Sequence, residues 1–370
     1  MSERFHTINV EGARLVLDLA GGHIRSFAVT VDGREITPLH TAPWVDDATV
    51  TDDPEVPENL KYLSGDFFCA PFAASDVEPD TPGHGWPANS AWTLIDETPA
   101  AGGGTTARFG LEKRVMGARV IKEITLRDGH PFAYQRHIFE GGKGAVSAAS
   151  HAMTRFTAPG RVTFSPKAFG ELPTMVQEGD PARGRSLFAT GKRFEDLTKL
   201  PLADGSLVDL HGYPVADDHE DFLMLVEAPD SPLGWAAAAR PDSRDIAISL
   251  KNPADYPVTF LWFSNGGRYY APWNSRHRGV LGMEEGRAYS AYGHKASIEP
   301  NPLSEAGIPT AVELSPDGSA SLSHVVGGLP LRDGATEVFA VDVVDDTLRV
   351  TQNDGHAYVY PFDAAFLRLA

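Results

Sequence analysis

Apolar and polar residues alternate with a period of two through most of this chain, and that alternation constrains the fold more than any other feature. It appears in Arg14-Leu15-Val16-Leu17-Asp18-Leu19, in residues 23–31, in Arg119-Val120-Ile121-Lys122-Glu123-Ile124-Thr125-Leu126 and in Asp245-Ile246-Ala247-Ile248-Ser249-Leu250. It returns in residues 222–226, 234–239, 258–263, 338–343 and 347–351. A strand sends successive side chains to opposite faces, so each run reads as one strand of a packed sheet. Asp32-Gly33 and Asp128-Gly129 supply tight turns between runs, and Ala101-Gly102-Gly103-Gly104 reads as a hairpin tip. Helical periodicity is confined to short stretches near residues 191–200 and 303–307. Strands joined by turns without intervening helices predict an all-β, large antiparallel β-sandwich, here one elongated domain over residues 1–370. Residues 40–66 are acidic, contain prolines and lack periodicity, which predicts a long surface loop of the kind that often carries function.

Charge and cysteine usage narrow the partners. Fifty acidic residues against 32 Lys and Arg give a net charge of -18, a field that repels phosphate backbones, so no nucleic-acid partner is expected. The lone cysteine, Cys69, rules out an intrachain disulfide and suits a reducing compartment. No apolar run reaches signal-peptide or membrane-span length, so the expected location is the cytoplasm, without membrane insertion. No metal-ligand spacing, nucleophile elbow or phosphate loop occurs, and neither metal nor cofactor is expected.

Three segments carry side chains suited to moving protons. His84 lies in Pro82-Gly83-His84-Gly85-Trp86-Pro87-Ala88-Asn89, where flanking glycines let backbone approach a ligand and Trp86 offers a flat face for a sugar ring. The alternative for His84 is a loop histidine that hydrogen-bonds backbone. His151 follows Ser150 in a strand running to Phe156, with Arg155 on the same face, either to orient a polar ligand or as a plain surface pair. Glu284 and Glu285 are adjacent after Gly282-Met283, so on a strand one enters a pocket while the other meets water. A carboxylate in an enclosed site suits general-base work. The aromatic and basic segment from Arg268 to Arg278, which includes Arg276, could bind an anionic group or offset nearby acids. Asp217, Asp218, His219, Glu220 and Asp221 form an acidic cluster, read as a solvated turn before a strand rather than a cation site.

In order and spacing these segments resemble the galactose mutarotase-like (aldose 1-epimerase) superfamily. Gly21-Gly22-His23-Ile24-Arg25-Ser26 is similar to its first hairpin, His84-Gly85 to its first histidine segment, Ser150-His151 to its second, and Gly282-Met283-Glu284 to the strand of its glutamate. The resemblance spans most of residues 10–300. It implies the supersandwich fold with a concave sugar-binding face, Glu284 as catalytic base and His151 as catalytic acid. It also implies substrate contacts from His84, with Asn89 and Trp92 behind it, and from Asp218. Two departures stand out. The family's upstream Asn-Arg pair is replaced by Gly65-Asp66-Phe67-Phe68-Cys69, so Arg155, Arg276 or Arg278 is expected to supply the missing charge, and Ala152 stands where the family has proline.

The implied activity is interconversion of the α and β anomers of a sugar by cofactor-independent acid–base ring opening. Two alternatives are a non-catalytic carbohydrate-binding or sugar-sensing protein and a glycan lyase or hydrolase. Hydrolysis usually needs two carboxyl groups about the scissile bond, and Glu284 or Glu285 is the only clear candidate.

Overall fold

The computed structural model describes residues 4–369. Two large antiparallel sheets form its centre. In the first, the strands run in the spatial order Arg193–Phe194, Lys167–Glu171, His219–Glu227, Val258–Asn265, Val280–Arg287, Ala148–Ser150 and Phe68–Cys69, and Ala152–Arg155 also pairs with Val280–Arg287. The second has nine strands, with Gly234–Arg240, Asp245–Lys251, Ser319–Pro330 and Phe132–Glu140 at its middle. The periodic segments fold as strands, and Asp32 and Gly33 take the positive φ values (52° and 74°) that a two-residue hairpin needs.

Alternation along the central strands sorts their side chains between layers. Leu223, Leu225, Leu261, Phe263, Leu281 and Met283 of the first sheet meet Ala236, Ala238 and Ala247 of the second in the inter-sheet core. The opposite side chains of the first sheet, Phe222, Met224, Phe260 and Trp262, form a separate apolar layer covered by loops. The second sheet is covered on its far face by a three-stranded sheet, Val338–Val344, Thr347–Gln352 and Ala357–Pro361. The strands His219–Glu227, Gly234–Arg240 and Val258–Asn265 are therefore buried along both faces.

Residues 40–66 are more than a surface loop. They form two short helices, Ala48–Thr51 and Glu58–Lys61, and Trp44, Val45, Val50 and Leu63 are buried against the outer face of the first sheet. Fully burying one such apolar side chain is worth about 1.5–3 kcal/mol, enough for irregularly spaced apolar residues to hold an aperiodic segment in place. The helices expected near 191–200 and 303–307 shrink to the 3-10 turn Leu197–Lys199 and to Pro302–Glu305, the latter closed by an Asn301 capping box.

Candidate functional site

Glu284 enters from the Val280–Arg287 strand, facing away from the inter-sheet core. Its neighbours on that face are Gly282 and Gly286. A Cβ on Gly282 would come within 2.8 Å of the Glu284 carboxyl and displace it, and one on Gly286 would come within 2.2 Å of the Phe260 ring. His151 occupies the break between Ala148–Ser150 and Ala152–Arg155. Its backbone N–H donates to Asp66 Oδ1 at 2.9 Å, and its ring stacks on Phe67 with centroids 4.4 Å apart. His151 Nε2 then lies 3.2 Å from Glu284 Oε1. His84 has a left-handed backbone (φ 64°) and precedes the helix Gly85–Asn89. Gly85 follows at φ 73° with its Cα against Ala70, where a Cβ would sit 1.9 Å from the Ala70 carbonyl oxygen. That close approach carries the His84 ring to 5.8 Å from the His151 ring.

These three side chains line one cavity of about 370 Å³, walled by Phe67, Phe72, Phe222, Trp262 and Trp273. Its size and apolar lining with a few convergent polar groups suit a small organic ligand. Burial pushes the Glu284 carboxyl well above its ordinary range, and the nearby Asp66 charge adds to the shift. Burial also holds His151 well below the usual imidazole range, with the His84 ring adding to the effect, and lowers His84 to about 4. Burial thus favours the neutral forms of both groups, a protonated Glu284 carboxyl beside a neutral His151 ring. His84 Nδ1 lies 3.4 Å from Cys69 Sγ, and burial keeps that thiol protonated. The S–H can donate to Nδ1, which leaves His84 Nε2 as a donor.

Behind this pair lies an inter-sheet polar cluster. Asp66 Oδ2 accepts from Gln135 at 2.6 Å and contacts His324 Nε2 at 2.8 Å, and hydrogen bonding and nearby positive charge hold its carboxyl below the usual range despite burial. Asp66 thus anchors the His151 backbone while remaining an anion.

Arg268 is the cation of the cavity wall. Its Nε donates to Glu178 at 2.8 Å, its Nη1 lies 3.3 Å from Glu220, and its guanidinium sits 4.6 Å from the Trp273 ring centroid. Glu220 is buried and also accepts from Trp262 Nε1 at 2.5 Å and Ser264 at 3.0 Å. Sequence reasoning placed Arg268 only within an aromatic and basic segment, and assigned Glu220 to a solvated turn. The turn reading is corrected from His219 onward. His219, Glu220 and Asp221 are buried on a strand, with Asp221 Oδ2 2.7 Å from His219 and its carboxylate accepting from the backbone of Leu187 and Phe188.

Several expected contacts lie outside the cavity. Asp218 pairs with Arg278 at 2.6 Å on the surface. Arg155 donates to the Arg278 carbonyl at 3.2 Å and is exposed. Arg276 donates to the Pro272 carbonyl at 2.9 Å and lies over Trp44. None of these replaces the absent upstream arginine at the cavity, where Arg268 stands instead. Trp86 packs away from the cavity beneath Lys113. Asn89 braces the His84 loop, donating to the carbonyls of Gly83 at 2.9 Å and Gly85 at 2.8 Å, and borders only a neighbouring hollow. Among the described residues no group of three or more His, Cys, Asp or Glu side chains is gathered as a metal site, and no helix is long and apolar enough to cross a membrane.

The sheet architecture is that of the galactose mutarotase-like fold. A provisionally assigned aldose 1-epimerase from Escherichia coli K12 superposes with a TM-score of 0.57 at 13% identity, over 88% of this chain and 99% of that one. The Slr1438 protein of Synechocystis sp. PCC 6803 gives 0.55 at 15% identity, over 89% and 99%. A galactose mutarotase related enzyme from Lactobacillus acidophilus gives 0.51 at 10% identity, over 89% and 98%. No family model matches the chain, and no curated protein matches it. At these identities the likeness is one of fold.

Proposed function

We propose that the protein interconverts the anomers of a sugar, with Glu284 and His151 exchanging protons with the hemiacetal. The observation that carries this reading is the 3.2 Å contact between Glu284 Oε1 and His151 Nε2 on an aromatic-walled cavity. The anomeric hydroxyl and the ring oxygen share one carbon, so an acid and a base this close can serve both. Glu284 as carboxylate takes the proton from the C1 hydroxyl while His151 as imidazolium protonates the ring oxygen. The C1–O5 bond breaks, C1 becomes an aldehyde, and rotation about C1–C2 exposes its other face. The open chain then faces a protonated Glu284 and a neutral His151, the forms that burial favours for each group. Ring closure reverses both transfers and yields the other anomer. His84 Nε2 is placed to donate to a sugar hydroxyl, and Trp262 and Trp273 offer faces for its C–H surface.

Acid–base help of this kind is worth about 10²–10⁴-fold. Polarimetry or NMR of freshly dissolved α-aldoses, with and without the protein, tests the reading. Acceleration that Glu284→Gln abolishes is expected. A second reading, a sugar-binding protein without turnover, draws on the same burial of Glu284, since a base held protonated starts in the wrong state. Saturable binding with no acceleration across a panel of neutral aldoses would select it.

A further inference from the structure

The cavity is not closed on its outer side. A second hollow of about 490 Å³ adjoins it, and Asn59, Leu60, His84, Arg268 and Trp273 border both. The outer walls are rigid and ring-bearing, with Pro57, Pro82, Pro272 and Tyr270 among them, and Val56 and Gly83 beside these. Flat faces of this kind suit the C–H side of a sugar ring. Asn59 stands at the junction. Its backbone N–H donates to Asn89 Oδ1 at 2.9 Å, and its side-chain amide, which makes no hydrogen bond to a described residue, borders both hollows within reach of a ligand that spans them.

Charge narrows the ligand further. Among the described residues Arg268 is the only Lys or Arg bordering either hollow, and Glu178 and Glu220 already engage it. A phosphate or carboxylate would find no free cation there. Direction supplies the last constraint. A sugar whose C1 and ring oxygen lie against Glu284 and His151, neither of which borders the second hollow, has C3 and C4 at its opposite end, so a unit linked through O4 can extend into that hollow.

We infer that the groove binds the reducing end of an uncharged oligosaccharide, with the reducing unit in the inner cavity and the next unit in the hollow of Pro57, Pro82, Gly83 and Tyr270. This rests on the anomer-interconverting reading for what happens to the inner unit, but not for the binding of the outer one. Gly83 offers a clean test. It is exposed, its φ is not in the left-handed range, and a Cβ there would meet only the Ala73 carbonyl oxygen, at 3.7 Å. Gly83→Leu should therefore fill the hollow without disturbing the inner cavity, and Gly83→Ala should do so only slightly.

The experiment compares matched pairs, glucose with maltose and cellobiose and galactose with a disaccharide that has galactose at its reducing end, by anomerisation rate and by saturation-transfer NMR. The best disaccharide should exceed its reducing-end monosaccharide in kcat/KM by about tenfold, the scale of a modest apolar contact. Gly83→Leu should erase that gain while monosaccharide turnover persists. Equal kcat/KM for each pair, or an equal loss on both substrates in Gly83→Leu, would overturn the inference. If no sugar is turned over, the catalytic reading fails, and the NMR arm still decides the groove. Saturation of both rings of a disaccharide, lost on the outer ring in Gly83→Leu, supports it, and no saturation of the outer ring refutes it.

Discussion

Glu284 and Glu285 are neighbours on one strand, yet they live in opposite electrostatic worlds. Glu285 points into the inter-sheet core, where Lys251 Nζ lies 2.6 Å away and Thr259 donates at 2.8 Å. Lys251 also reaches Glu227 at 3.0 Å, and Lys167 pairs with Glu227 from the other side. That acid is structural, one member of a buried network with alternating charge. Glu284 points the other way, pairs with no Lys or Arg among the described residues, and faces the His151 ring and the cavity. A buried charge that is paired holds a fold together, and a buried acid left unpaired keeps a mobile proton. Sequence reasoning expected the second acid to meet water. A second packed sheet covers that face instead, so the charge had to be matched inside.

The largest expected effect sits at Glu284. Glu284→Gln should lower anomerisation by about 10²–10⁴-fold in a polarimetric assay. The same variant should be at least as stable as the parent at neutral pH. A carboxyl whose folded pKa is raised contributes stability below its unfolded pKa and loses it as pH rises, and glutamine cannot ionise. A clear drop in its melting temperature at pH 8 would put Glu284 in the structural class with Glu285.

Glu285→Ala should show the reverse pattern. It strips Lys251 of its nearest carboxylate inside the core, and breaking a buried pair typically costs about 3–5 kcal/mol. Urea denaturation reads the loss, and folded protein should still turn over sugar. An inactive but fully stable Glu285→Ala would collapse the distinction between the two acids.

Acid should unfold the cavity side through its histidines. Burial lowers His84 to about 4 and His23 and His40 to about 3, from an ordinary 6.5. Depressed histidines stabilise fully above the unfolded pKa, and that stability drains as pH falls from 6.5 toward the folded values. Each contributes a slope of about 1.4 kcal/mol per pH unit within its window. Stability measured between pH 7 and pH 4.5 should fall throughout, and His84→Gln should flatten the curve. An unchanged slope would mean that His84 protonates freely in the folded state.

Smaller still is the expected effect of Asp66→Asn. An asparagine oxygen can still accept from the His151 backbone, but the anion that helps raise Glu284 is gone, so the acidic limb of the pH–rate profile should move to lower pH. A profile that merely scales down without moving would leave Asp66 a structural residue. Arg155→Ala and Asp218→Asn mark the bottom of the scale. Both side chains are exposed, and Asp218 pairs with Arg278 across the surface, so stability should change by less than about 0.5 kcal/mol, with turnover unaltered.

The strands were legible because period-two alternation is a local signal, and so was the opposition of Glu284 to Glu285, which follows from the pleat. His84 and His151 stood out through their glycine-rich and strand settings. Arg268 and Glu220 did not. Arg268 lay among other arginines in one segment, and Glu220 followed two aspartates that suggested solvent. What distinguishes them is distant packing: Trp262 and Ser264 satisfy Glu220, and Glu178 comes from residues that lack periodicity altogether. The errors have the same origin. Asp218, Arg155 and Arg276 have suitable chemistry, but their side chains leave the sheet on its solvent side or bind loops.

Local patterning was enough to read antiparallel sheets, the course of many strands, and the opposition of two adjacent acids. These follow from backbone geometry and nearest-neighbour patterning. Which acid meets a lysine and which a histidine is settled by packing, because it depends on what covers each face of the sheet. The same is true of Arg268 in the cavity wall. Its place was set by loops whose irregularly spaced apolar residues find their positions only against the finished sheet.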